Sequence, residues 1–148
     1  MSLHPAVRAA NCNRLQSLLL VTCLLLPLPA AATLYDDLGG EKGVATIVST
    51  LVSSAVADPV TRRSFEKFDR PRLEKLLAQQ ICQLADGGCR YEGDSMKDSH
   101  AGLDITEAEF YGLVAQLRAA CDAAGVSLAA KNGLLQKLAP MKRDIVTK

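Results

Sequence analysis

Two apolar stripes decide most of what this chain can become. Val44, Ile47, Val48, Leu51, Val52 and Ala55 fall at i, i+3, i+4, i+7, i+8 and i+11, and Leu73, Leu76, Leu77, Gln80, Ile81 and Leu84 repeat the spacing with one polar member. A period near 3.6 puts each set on one face of a helix, and such a face must be covered by another element. Two further stripes follow: Phe110, Leu113, Val114, Leu117 and Cys121, then Leu134, Leu135, Leu138, Met141 and Ile145. No run alternates with period two over the length of a strand, so the expected class is all-α.

Stop and start signals bound these helices. A short apolar lead, 34–38, ends at the flexible Gly39-Gly40 pair, and Asp58-Pro59 stops the first stripe at about Ala57. Residues 61–69 read as one turn of helix or a bend, with Phe65 and Phe68 pointing inward. Pro71 suits the first turn of the next helix, which Asp86-Gly87-Gly88 closes. Thr106 and Glu109 form a capping box for the third, which ends near Gly125. Ser127 can cap the fourth, and Pro140 must kink or break it.

Ahead of all this, Arg8 and Arg14 precede the apolar run 18–26, which ends in Pro27, Pro29 and the small residues Ala30 to Ala32. That is the pattern of a secretory signal peptide, 1–32, cleaved after Ala32. The run falls short of the roughly 20 apolar residues of a membrane span, although an uncleaved anchor is the alternative. A lipid-bearing Cys23 is the weaker one, since apolar residues continue beyond it. The product, a single domain of residues 33–148, is expected in the periplasm or outside the cell. Export removes two of 17 basic residues and none of 16 acids, leaving a net charge near −1. No basic face is implied, which argues against nucleic acid as a partner.

The domain holds three Phe, three Tyr and no Trp. A core of Leu, Val, Ile and Ala in so small a domain is marginal, and a large apolar cofactor would help fill it. Residues 91–106 form a loop rich in turn residues that runs into His100, the one imidazole of 33–148. Ser99, Ala101 and Gly102 around it leave room for something large and flat. A neutral imidazole nitrogen is the usual fifth ligand of haem iron in globins; the plainer reading of a lone loop histidine is a solvated surface residue. Gln80 has two readings as well: a core amide bonded to backbone, or a donor aimed at something in a pocket. Cys82 and Cys89 flank a Gly-rich turn and are candidates for a bridge in an oxidising compartment. The alternative is that Cys82, like Cys121, is a small buried hydrophobe. The chain has no Cys-x-x-Cys, which argues against a thioredoxin-like site, and no Cys-x-x-Cys-His, which argues against covalently attached haem.

From Leu34-Tyr35-Asp36-Asp37-Leu38-Gly39-Gly40 onward the chain resembles the group 1 truncated haemoglobins, or two-over-two globins. The likeness continues through Ala57-Asp58-Pro59, Asp86-Gly87-Gly88, Tyr91-x-Gly93, Met96-Lys97, His100-Ala101-Gly102-Leu103-x-Ile105-Thr106 and Ala139-Pro140 to Asp144-Ile145-Val146. It implies two antiparallel helix pairs sandwiching a non-covalent haem b. It also implies that His100 is the proximal iron ligand and that Phe65 packs on the haem face. By the same likeness Leu73 and Leu77 face the bound gas, with Gln80 and Ile81 one turn on. Met96 and Lys97 fall in the proximal loop, where Lys97 would meet a propionate.

The departure lies on the distal side. Many members carry a Phe-Tyr pair on the second helix and often a Gln where this chain has Leu77; here the pair is Leu51-Val52. A hydrogen bond to the bound gas contributes about 1.5–3 kcal/mol, so its loss is expected to raise the O2 off-rate roughly 10- to 100-fold. Gln80 would compensate if its amide reached the gas. With no distal His or Tyr, the ferrous iron is expected to be five-coordinate. The expected function is a monomeric haem globin that binds O2, CO or NO. One alternative is a haem enzyme removing nitric oxide or peroxide, whose electron donor is unknown and for which no flavin or nicotinamide motif is present. The other is a haem-free helical module for an apolar ligand or partner helix.

Overall fold

The first stripe becomes the longest helix, and the others assemble on it. In the computed structural model residues 31–148 are described, so the signal-peptide reading of 1–32 lies almost wholly outside them. Helix α1 (Leu34–Asp37) occupies the segment expected to be an irregular lead. Four residues are too few to show a helical period, and what holds them is a capping box. The Thr33 hydroxyl accepts the Asp36 amide at 3.2 Å, and the Asp36 carboxylate accepts the Thr33 amide at 2.9 Å.

Helix α2 (Gly40–Ala57) leaves a left-handed Gly39 and buries all six members of its stripe. At its end the Asp58 carboxylate accepts the Val60 amide at 2.7 Å and starts a 3-10 turn, Arg62–Phe65. Phe65 then meets Phe68 edge to face, ring centroids 5.8 Å apart. Helix α3 (Arg70–Leu84) has Pro71 in its first turn and Asp69 as its cap. Near its far end Cys82 is bridged to Cys89, with Cα atoms 5.7 Å apart. Cys82 is also buried, so it is both bridge and core; Cys121 is free and buried, and burial pushes its thiol pKa up.

A second four-residue helix, α4 (Met96–Ser99), stands just before His100, where a plain loop was expected. It too rests on a cap, the Ser95 hydroxyl accepting the Asp98 amide at 3.1 Å. Helix α5 (Glu107–Ala123) starts at the expected Thr106 box. Helix α6 (Leu128–Leu138) starts at Ser127. Pro140 breaks rather than kinks it, giving a 3-10 turn, Ala139–Met141, before α7 (Lys142–Ile145).

Helix α2 packs on both α3 and α5, α6 touches both of those, and α1 lies against α2 and α6. Two helix pairs, α2 with α3 and α5 with α6, thus make an all-helical two-over-two sandwich. Ile47, Val52, Leu134 and Cys121 at its centre are wholly inaccessible to solvent. Among the described residues there is no strand, and no helix long and apolar enough to cross a membrane.

Candidate functional site

The sandwich does not close completely. Between its layers lies a cavity of about 380 Å³, within the range of small-molecule and cofactor sites. Helix α2 lines it with Leu51, Val52 and Ala55, α3 with Leu73, Leu76 and Leu77, and α5 with Phe110 and Leu113. Polar groups are fewer, among them the buried Thr61, Gln80 and Glu109, and the most informative is an imidazole.

His100 follows α4 directly. Its Nδ1 lies 2.8 Å from the Met96 carbonyl and 3.0 Å from the Ser99 hydroxyl. A carbonyl only accepts, so Nδ1 carries the proton and donates, and in the neutral ring Nε2 keeps a free lone pair. The Tyr91-x-Gly93 spacing serves the same loop. The Tyr91 hydroxyl donates to the Asp94 carbonyl at 3.0 Å and lies so close to Gly93 that any Cβ there would collide with it. Tyr91 itself lines the cavity, and burial pushes its phenol pKa up.

Of the residues singled out in the sequence, His100, Phe65, Leu73, Leu77, Gln80, Met96 and Val52 line this one cavity. Two do not. Ile81 is buried in the core beside Val48 and Leu117, and Lys97 points to solvent while Lys67 lines the cavity rim. Gln80 is buried, and its amide nitrogen donates to the Met96 sulfur at 3.2 Å and lies 3.8 Å from that of Met141. Its donor is therefore engaged beside α4 rather than turned toward the Leu51, Val52 and Leu77 wall. Thr61, a further polar residue of the lining, is committed as well: it donates to the Ala55 carbonyl at 2.8 Å and accepts from Gln116 at 3.1 Å.

Sequence reasoning saw Glu109 as half of a cap and missed its second role. It is a buried carboxylate on the cavity wall, accepting from the Thr106 amide at 2.9 Å and hydroxyl at 2.7 Å, from Ser64 at 2.9 Å and from Arg63 at 2.8 Å. Burial works to raise its pKa, but the bonds from Arg63, Thr106 and Ser64 outweigh it and hold the group at about 2. Its spacing from Thr106 marked the cap, but nothing in the sequence paired it with Arg63.

The cavity can do one thing well. It can hold a large apolar body in a dry space with a single nitrogen lone pair available from the protein. Among the described residues no three His, Cys, Asp or Glu side chains cluster to hold a metal. A porphyrin brings four ligands of its own to its iron, and the largely apolar walls and lone imidazole fit that group.

The bacterial-like globin family profile matches residues 33–147. A group 1 truncated haemoglobin of Mycolicibacterium paratuberculosis is 31% identical over 117 residues, covering 78% of this chain and 85% of the relative. One from Nostoc is 27% identical, covering 79% and 99%. The crystal structure of the truncated haemoglobin from Tetrahymena pyriformis in its Fe(III) form superposes with a TM-score of 0.75 at 24% identity, covering 79% of this chain and all of that one. On fold, on the family profile and on these relatives, the chain belongs to the bacterial-like globins, among the group 1 truncated haemoglobins.

Proposed function

We propose that this globin binds non-covalent haem b in the cavity, with His100 Nε2 as the protein's ligand to iron, and takes a diatomic gas at that iron. The observation that carries it is the His100 side chain: one ring nitrogen is committed to the Met96 carbonyl, and the residue lines a largely apolar cavity. When bound, haem would supply an iron able to take a diatomic gas. This chain's own part is to orient the imidazole, exclude water with Leu51, Val52, Leu73 and Leu77, and leave the gas without a donor from α2. Weak O2 retention or ready autoxidation follows, with CO less affected. Absorption spectra of the ferric, ferrous and CO-bound protein test this. A Soret band present in the wild type and lost or shifted in His100→Ala, with helix content preserved, is the expected result. A protein that stays colourless when offered hemin would overturn it.

We further propose export, with cleavage after Ala32. The basic and apolar order of residues 1–32 supports it, as does the Cys82–Cys89 bridge, a bond that persists in oxidising compartments. N-terminal sequencing of the exported protein should read from Thr33; a chain recovered with its leader intact favours the anchor instead.

A further inference from the structure

Both flanks of His100 are tied down. Upstream, the Gln80 amide holds the Met96 side chain. Downstream, the Thr147 and Lys148 amides reach the Ile105 carbonyl and the Lys148 ammonium the Asp104 carboxylate, while one guanidinium takes two carbonyls nearer the histidine. Arg63, from the 3-10 turn that also carries Phe65, donates through Nη1 to the Leu103 carbonyl at 3.1 Å and through Nη2 to the Asp104 carbonyl at 3.1 Å. The same Nη2 lies within 2.7 and 2.8 Å of the two Glu109 oxygens.

Gly102 and Asp104 both have left-handed backbone, φ 75° and 51°, and the second is not a glycine. The Leu103 amide donates back to the His100 carbonyl at 3.2 Å, so the turn under the fork is the turn that leaves His100. Arg63 is not placed there by burial, since its side chain is 52% exposed. Glu109, ionised and nearly inaccessible, aims the guanidinium, and a planar fork can span two carbonyls where an ammonium cannot.

We propose that Arg63, aimed by Glu109, is a positioning residue for His100: its fork fixes the turn after the histidine and with it the direction of Nε2 and the strain on the bond made there. This rests on reading His100 as the iron ligand. The alternative is a tie that merely joins the 3-10 turn to α5, for which any cation on Glu109 would serve.

Resonance Raman spectra of the ferrous, gas-free, hemin-loaded protein separate the two through the iron–histidine stretch. The wild type should give one narrow line. Arg63→Ala should shift and broaden it, and Arg63→Lys should do the same while restoring much of the thermal stability. Lys137→Ala, which breaks an exposed pair with Asp86, should leave it in place. Hydrogen exchange on the same proteins should show the amides of residues 103–105 faster in both Arg63 variants. Arg63→Lys carries the test should Arg63→Ala fail to fold. A wild-type line that lysine preserves overturns the positioning role and leaves the haem reading standing. A wild type with no iron–histidine line overturns both.

Discussion

At the scale of single residues, the partner chosen for His100 matters as much as the histidine. A backbone carbonyl fixes the tautomer without the added basicity that a carboxylate would confer. The resemblance implies a donor in many members at the position of Val52, a cavity-lining residue here, and that choice can be reversed. Val52→Tyr is expected to slow O2 dissociation roughly 10- to 100-fold, measured by stopped-flow displacement with CO; an unchanged rate would show that the residue does not face the gas. Glu109 makes a prediction of a different kind. Its folded pKa is held at about 2, below the ordinary 4.5. A depressed carboxylate stabilises the fold fully above its unfolded pKa, and that contribution is lost as pH falls through 4.5 toward 2. Glu109→Gln should cost roughly 2 kcal/mol near neutrality, less than for a fully buried pair because Arg63 is half exposed. Urea denaturation across pH should show the gap between wild type and variant closing on acidification. A gap that stays constant would mean the carboxylate's charge is not what stabilises.

Among the elements, the Cys82–Cys89 bridge ties the last turn of α3 to the loop leading toward α4. Closing so short a loop restricts the unfolded chain, and Cys89→Ser is expected to cost about 2–3 kcal/mol, seen as a lower denaturation midpoint that a reductant reproduces in the wild type. The long helices were legible because a 3.6 period repeated over three or more turns has no other reading, and the Thr106, Ser127 and Asp58-Pro59 boundaries because their chemistry is local. Helices α1 and α4 were not, since four residues show no period and their caps, Thr33 and Ser95, look like ordinary polar residues. Several of the cavity's lining residues were legible too, because members of the α2 and α3 stripes turn toward the space between these helices. What stayed hidden is long-range: the Arg63 fork reaches across 40 residues and the Gln80 contact with Met141 across 61. Periodicity also sets which face of a helix is apolar but not which part of that face meets the cavity. Ile81 therefore fell to the core, whereas the Lys97 expectation came from the resemblance, and it is Lys67 that lines the cavity.

For the whole molecule, a cavity of about 380 Å³ in a small domain forfeits packing that a cofactor restores. Bound at a free concentration about 1,000 times its Kd, haem would stabilise by about 4 kcal/mol, which for a domain of this size is a melting point raised by about 10–20 °C. Calorimetry with and without hemin checks this, and equal melting points would mean that the cavity is filled some other way. The far end of the chain is part of the same arrangement. The Thr147 and Lys148 amides both reach the Ile105 carbonyl, at 3.0 and 3.2 Å, and the Lys148 ammonium meets Asp104 at 2.8 Å. The tail is therefore a handle on the strand of backbone beside the proposed metal ligand. A substitution at Thr147 or Lys148 is expected to pull on that handle, with the colour of the hemin-loaded protein as the readout.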